Sequence, residues 1–209
     1  MTTPRADAAP TNRAERSLPP EALRGTYRPL TEVGEPVLHR RCAHVTEFGT
    51  PELAGLIDDM FFTMHAARGV GLAANQVGVD LQVFVYDCPG DDGQRHIGHL
   101  CNPVIETDLS AHPTSAKEGC LSVPGATLHD LARPGRVLVH GQDKDGNALT
   151  VEGEGLFATC LQHETDHLNG TLYTDHLTPA QRAHALQESI GRRTAVLAER
   201  EARARSLRA

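Results

Sequence analysis

The chain has 209 residues, 39% hydrophobic and 22% charged, which is enough apolar material for one globular domain with its own core. A formal net charge of −7 argues against a general nucleic-acid binder, and 4% aromatic residues with no tryptophan leave few stacking platforms for single strands. No run of 18 apolar residues occurs, so no transmembrane helix is expected.

Residues 1–25, rich in Ala, Pro, Thr, Arg and Glu, are expected to form a disordered or loosely docked extension. They carry no apolar signal run, and their acids suit a transit peptide poorly. The five cysteines, Cys42, Cys88, Cys101, Cys120 and Cys160, are an odd set without close pairs. Together these features point to a reducing cytoplasm. A folded domain is expected over residues 26–190, followed by a basic helical tail over 191–209.

The first expected helix opens at Thr50-Pro51, repeats Leu53, Leu56, Ile57, Met60, Phe61 and Met64 at helical spacing, and stops at Gly69. Residues 82–87 (QVFVYD) read as a strand, and the β-rich runs 137–140 and 148–151 flank the hairpin signal Lys144-Asp145-Gly146-Asn147. A second helix is expected over residues 156–168, with Gly170 beyond its end. A third opens at Thr178-Pro179-Ala180-Gln181, a capping box, with Gly191 as an expected interruption. Strands in the middle and helices towards both ends indicate an α+β fold: small antiparallel sheets around a central helix, plus an N-terminal and a C-terminal helix.

His163-Glu164-Thr165-Asp166-His167 is an H-E-x-x-H pattern inside the second helix. Residues at i and i+4 share a helix face, so both imidazoles can reach one metal ion, and Glu164 can address a water beside it. Asp166 can steady a ligand imidazole or be a plain surface acid. A catalytic centre needs a third protein ligand and an open position. Residue 173, where a metzincin would place a histidine, is Tyr173, and His176 lies past Gly170. Cys120 in Lys117-Glu118-Gly119-Cys120-Leu121-Ser122 is the best remaining candidate, although most lone cysteines are only small buried hydrophobes. Cys160, one turn below the histidines, fits a pocket wall better than a ligand.

Three segments together resemble the peptide deformylase family: Gly69-Val70-Gly71-Leu72-Ala73-Ala74-Asn75-Gln76, Glu118-Gly119-Cys120-Leu121-Ser122 and Gln162-His163-Glu164-Thr165-Asp166-His167. The resemblance implies a metal-dependent hydrolase that removes the formyl group from N-formyl-methionyl nascent peptides. It implies Cys120, His163 and His167 as ligands of one divalent ion, Fe2+ in the cell, with Zn2+, Ni2+ or Co2+ in preparations. It further implies Glu164 as general base and acid, and the Gln76 amide and Leu121 N–H as oxyanion donors. Val70 and Gly71 would be the backbone strip pairing with substrate, and Val70, Glu118, Leu156, Thr159 and Cys160 the methionine pocket. One departure stands out: residues 125–129 lack an arginine that the family often carries there, and Arg133 comes later.

Residues 182–208 hold seven Arg against three Glu, a local bias on an acidic chain. This resembles the ribosome-docking helix of bacterial deformylases, and on that reading deleting residues 192–209 leaves turnover of short peptides intact. The competing functions are a generic H-E-x-x-H endopeptidase, which leaves Gln76 and Cys120 without roles, and a structural metal module, which leaves Glu164 without one.

Overall fold

The computed structural model describes residues 17–91, 93–108, 112–127 and 129–208, so residues 1–16 of the expected extension lie outside the described part. The described residues form helices α1 (Pro20–Arg24), α2 (Pro51–Ala66), α3 (Gly155–Leu168) and α4 (Pro179–Ser206). The strands are β1 (Gly71–Ala73), β2 (Val83–Pro89), β3 (Arg95–Thr107), β4 (Thr114–Glu118), β5 (His129–Arg133), β6 (Arg136–Gln142) and β7 (Ala148–Glu154). This is the α+β arrangement expected, with the sheets antiparallel throughout.

The larger sheet runs β1-β2-β3-β6-β7, and β4-β5 pair separately. Strand β2 explains why residues 82–87 show no polar alternation. Val83 and Val85 point to a core shared with Leu53, Ile57, Met60 and Phe61 of α2. Phe84 and Tyr86 point the other way, against Phe157, Ala158 and Leu161 of α3. With a helix on each face, both sets of side chains are buried, and the strand reads as a continuous apolar run. The same layering makes α3 the central helix.

The 143–147 turn closes the β6–β7 hairpin, with the Asp143 carboxylate accepting from the Asp145 and Asn147 N–H groups. Strand β3 was not anticipated. Its sequence mixes His, Gly, Asn and Pro, and its pairing with β6 shifts register between Cys101 and Val104. Asn102, at positive φ (52°), fills that bulge by exchanging two side-chain hydrogen bonds with the Val45 backbone.

The expected caps form: Thr50 accepts from Leu53 N–H at 3.2 Å, and Thr178 and Gln181 make their box. Two expectations need correction. Residues 17–25, assigned to the loose extension, are folded, because Pro20 occupies the first helical position of α1, where no donor is required. Ala22 is fully buried, Leu18 packs on the α2 core, and Arg24 makes a two-pronged contact with Asp58. Nor does Gly191 interrupt α4, so the boundary at 190/191 has no structural counterpart. An exposed helical glycine costs only about 1 kcal/mol, and α4 is anchored to the body on both sides of it.

Candidate active site

Helix α3 packs its apolar side on the sheet and brings His163, Glu164 and His167 to one buried face. Cys120 arrives from the turn that follows β4. One ligand atom each of Cys120, His163 and His167 lies within 4.8 Å of the others, the convergence the resemblance implied. Cys120 Sγ stands 3.1 Å from His167 Nε2, and the two rings meet edge-on with centroids 4.9 Å apart. A thiolate with two imidazoles suits zinc or ferrous iron. Burial opposes ionisation of the Cys120 thiol, yet the imidazoles of His167 and His163 pull its pKa well below the ordinary value.

His163 Nδ1 lies 3.0 Å from Glu118 Oε2, an arrangement that leaves Nε2 for an ion. Glu118 is clamped by Arg133 through two hydrogen bonds of 2.5 and 2.9 Å, and Arg133 also reaches Asp166 at 2.8 Å. Burial by itself would raise the Glu118 carboxyl. Hydrogen bonds from His163 and Arg133 outweigh it and hold the group at about 2. Asp166 therefore touches no ligand imidazole: it braces Arg133, with His176 at 3.1 Å on its other side. Arg133, buried at the end of β5, was not anticipated as a site residue. Nothing local marked it: Asp130, three residues earlier, is as plausible a partner in sequence as the more distant Glu118 that it meets.

Glu164 lies against the backbone of β1. A Cβ on Gly71 would come within 2.3 Å of Glu164 Oε1, so only glycine admits the carboxylate there. Burial raises Glu164 to about 7 against the opposing pull of His163 and His167, and its Oε2 has no partner among the described residues. Gln76, almost fully buried, accepts from Ala73 N–H at 2.9 Å. That contact turns its amide nitrogen towards Ser122 Oγ (3.2 Å) and Cys120 Sγ (3.5 Å). Leu121 N–H makes no hydrogen bond among the described residues.

These groups surround a cleft of about 350 Å³. Val70, Gly71, Gln76, Glu118, Cys120, Leu121, Leu156, Thr159, Cys160, His163 and Glu164 all line it. His167 lies behind them, fully buried. Within the pocket assignment, Glu118 has its carboxylate committed to Arg133 and His163, so it offers a wall and not a free polar group. Val70 O accepts from Asp87 N–H at 2.8 Å and so faces β2. Three supporting residues escaped the sequence reading as individuals: Asn75, whose side chain donates to His167 O at 2.6 Å, Ser122 beneath Gln76, and Tyr173, whose ring lies 6.3 Å from that of His163. The first two sit inside the three quoted segments, where a role could have been sought.

The sequence profile described as polypeptide deformylase matches residues 27–183, three quarters of the chain. The chain belongs to the peptide deformylase family. It is 55% identical over 168 residues to peptide deformylase 1 of Streptomyces avermitilis, covering 79% of this chain and 76% of that one. To peptide deformylase 2 of Streptomyces coelicolor it is 51% identical over 169 residues, covering 80% and 92%. Among solved structures, a peptide deformylase from Legionella pneumophila superposes with a TM-score of 0.72 at 39% identity, covering 81% and 97%. One from Ehrlichia chaffeensis, in complex with actinonin, gives 0.71 at 36% identity, covering 80% and 98%. The enzyme is thus a metal-dependent hydrolase that removes N-formyl groups from nascent peptides. No described helix is long and apolar enough to cross a membrane.

Proposed function

We propose that Cys120, His163 and His167 hold one divalent ion, Fe2+ in the cell with Zn2+, Ni2+ or Co2+ as replacements, and that Glu164 moves the proton of the reaction. The observation that carries this is the convergence of the three donors within 4.8 Å beside the unpartnered Oε2 of Glu164. When bound, such an ion supplies Lewis-acid activation of water at neutral pH. Glu164 takes the proton as water attacks the formyl carbon and returns it to the departing amine. A carboxyl near 7 is suited to both halves of that transfer.

Charge grows on the formyl oxygen during attack. The Gln76 amide nitrogen and the unbonded Leu121 N–H are the donors for it, and losing one such donor typically costs about 10²–10³ in rate. Strand β1 is an edge of its sheet. Since Val70 O faces β2, alternation along the strand turns the Gly71 peptide groups to the open side, where a substrate main chain can add as a further strand. Val70, Leu156, Thr159 and Cys160 line the space for the methionine side chain, with Glu118 behind.

In this reading the enzyme works in the cytoplasm and docks on the ribosome through α4, on which Arg182 and Arg205 are exposed. Formate release from formyl-Met-Ala-Ser by anaerobically prepared protein, with metal analysis on the same sample, tests the chemistry. Turnover should follow iron content, and Glu164→Gln should abolish it with metal still near one per chain. Full activity in Glu164→Gln would remove the proposed proton carrier. For docking, Arg182→Glu with Arg205→Glu should weaken co-sedimentation with ribosomes at low salt; unaltered sedimentation refutes it.

A further inference from the structure

The lips of the cleft carry a charge pattern that the deformylation chemistry does not use. Chain leaves α2 through Ala67 and then Arg68, whose φ of +58° is the left-handed conformation that glycine adopts without strain at a helix end. The turn is held by Arg68 N–H to His65 O (3.1 Å) and Gly69 N–H to Met64 O (2.8 Å). An arginine in a position that favours glycine, on the rim of the cleft, points to a role for its side chain. Lys117 of β4 also lines the cleft, is exposed, and makes no ion pair among the described residues. The two cleft acids do not balance these cations at the mouth, since Glu118 is held by Arg133 and His163 and Glu164 is buried against Gly71. Arg68 does pair with Glu199 of α4 at 3.6 Å, but both side chains are about 60% exposed, so a substrate carboxylate can compete for it.

Geometry sets which part of the substrate meets this rim. The buried end of the cleft is at Gln76 and Glu164, and Gly71, Gly69 and Arg68 lead from there to the surface. A peptide whose formyl end is at Cys120 and His163 must leave along that strip. At about 3.4 Å per residue, its third and fourth residues reach the level of Arg68.

We infer that Arg68 and Lys117 are specificity-determining residues, which favour formyl-methionyl peptides with an acidic side chain at the third or fourth position and disfavour basic ones. This rests on the site reading above. The test uses formyl-Met-Ala-X-Ala amides and formyl-Met-Ala-Ala-X amides, with X as Asp, Ser or Lys, at low ionic strength. At one or both positions kcat/KM should be three- to tenfold higher for Asp than for Lys, mostly through KM, and the difference should shrink in 0.5 M salt. Arg68→Gly, which suits the backbone, combined with Lys117→Gln should bring the ratio below twofold, while Arg68→Lys retains it. A ratio of one or less at both positions in the native enzyme, or one untouched by the double substitution, overturns the proposal. The Ser peptides separate the two levels: if they are not deformylated the site reading itself fails, and if they are turned over without charge discrimination only the rim assignment fails.

Discussion

Arg133 and Glu118 show how much of the geometry of a proposed metal ligand can rest on residues outside the proposed donor set. Glu118 is almost fully buried and is kept ionised by two partners, one of them the proposed ligand His163. Replacing Arg133 by Met leaves that carboxylate buried with half its support, a change that typically costs about 3–5 kcal/mol. Thermal denaturation of Arg133→Met should show a loss of this order, and metal titration should show about 10–100-fold weaker binding, since the orientation of His163 goes with it. Unchanged affinity would mean that Glu118 positions His163 without help.

Glu164 makes the opposite trade. Its folded pKa, about 7, lies above its ordinary 4.5, so between these values the native state keeps a proton that the unfolded chain has lost. Stability of the metal-free protein should therefore fall as pH rises from about 4.5 to 7, by at most about 3 kcal/mol. Metal-free Glu164→Gln lacks this slope. Denaturant melts should find it more stable than the native sequence at pH 8 and close to it near pH 4.5; parallel pH profiles would argue against a strained carboxylate.

Among the elements, α4 departs furthest from its sequence reading. Of the seven arginines that made its tail look like a docking surface, Arg200 is buried, Arg203 donates to His65 O at 3.2 Å, and Arg208 donates to Gly25 O and lies 4.9 Å over the Phe62 ring. Arg192 donates to Gly125 O at 3.0 Å, and Arg193 pairs with Glu32 at 2.5 Å. Glu188 accepts from both Thr127 N–H and Thr127 Oγ1. Gly125, at φ +78°, has no room for a Cβ, which would lie 2.6 Å from the Arg192 Cβ. The helix thus ties down one lip of the cleft at residues 125–127. Ala204 and Leu207 pack against Phe62 and Ala66, just before the other lip. Deleting residues 192–209 is then no neutral operation. It should lower the melting temperature and raise KM for formyl-Met-Ala-Ser several-fold, measured by calorimetry and by formate release. A truncated enzyme with native KM would show that the lips hold their shape without the strap.

At the scale of the whole molecule, the candidate metal group joins segments that pack in different layers: α3 on the sheet, and the turn after β4 outside it. Anything that binds the native state alone stabilises it, by about 4 kcal/mol at a thousandfold excess over Kd. Chelation should therefore lower the melting temperature markedly, and added metal should restore it in the native chain but not in Cys120→Ala. A melting temperature indifferent to chelator would mean that the three side chains do not share an ion.

What could be read in the sequence was local. The caps at Thr50 and Thr178, the Asp143–Asn147 turn, the apolar run of β2 and the i, i+4 placement of His163 and His167 are each settled within a few residues, because one helical turn or one hairpin fixes which side chains are neighbours. Strand β3 was illegible, since its pairing depends on a bulge filled by Asn102 from a distant Val45. Residues 17–25 were equally so, because Ala22 is buried by α2 and not by anything nearby in sequence. Spacing alone could not bring Cys120 to the histidines, and only tertiary structure decided that Arg133 serves Glu118 and that Arg200 and Arg203 of α4 turn inward. Each of those contacts joins residues at least 15 positions apart and depends on how the strands and layers pack, which local periodicity does not encode.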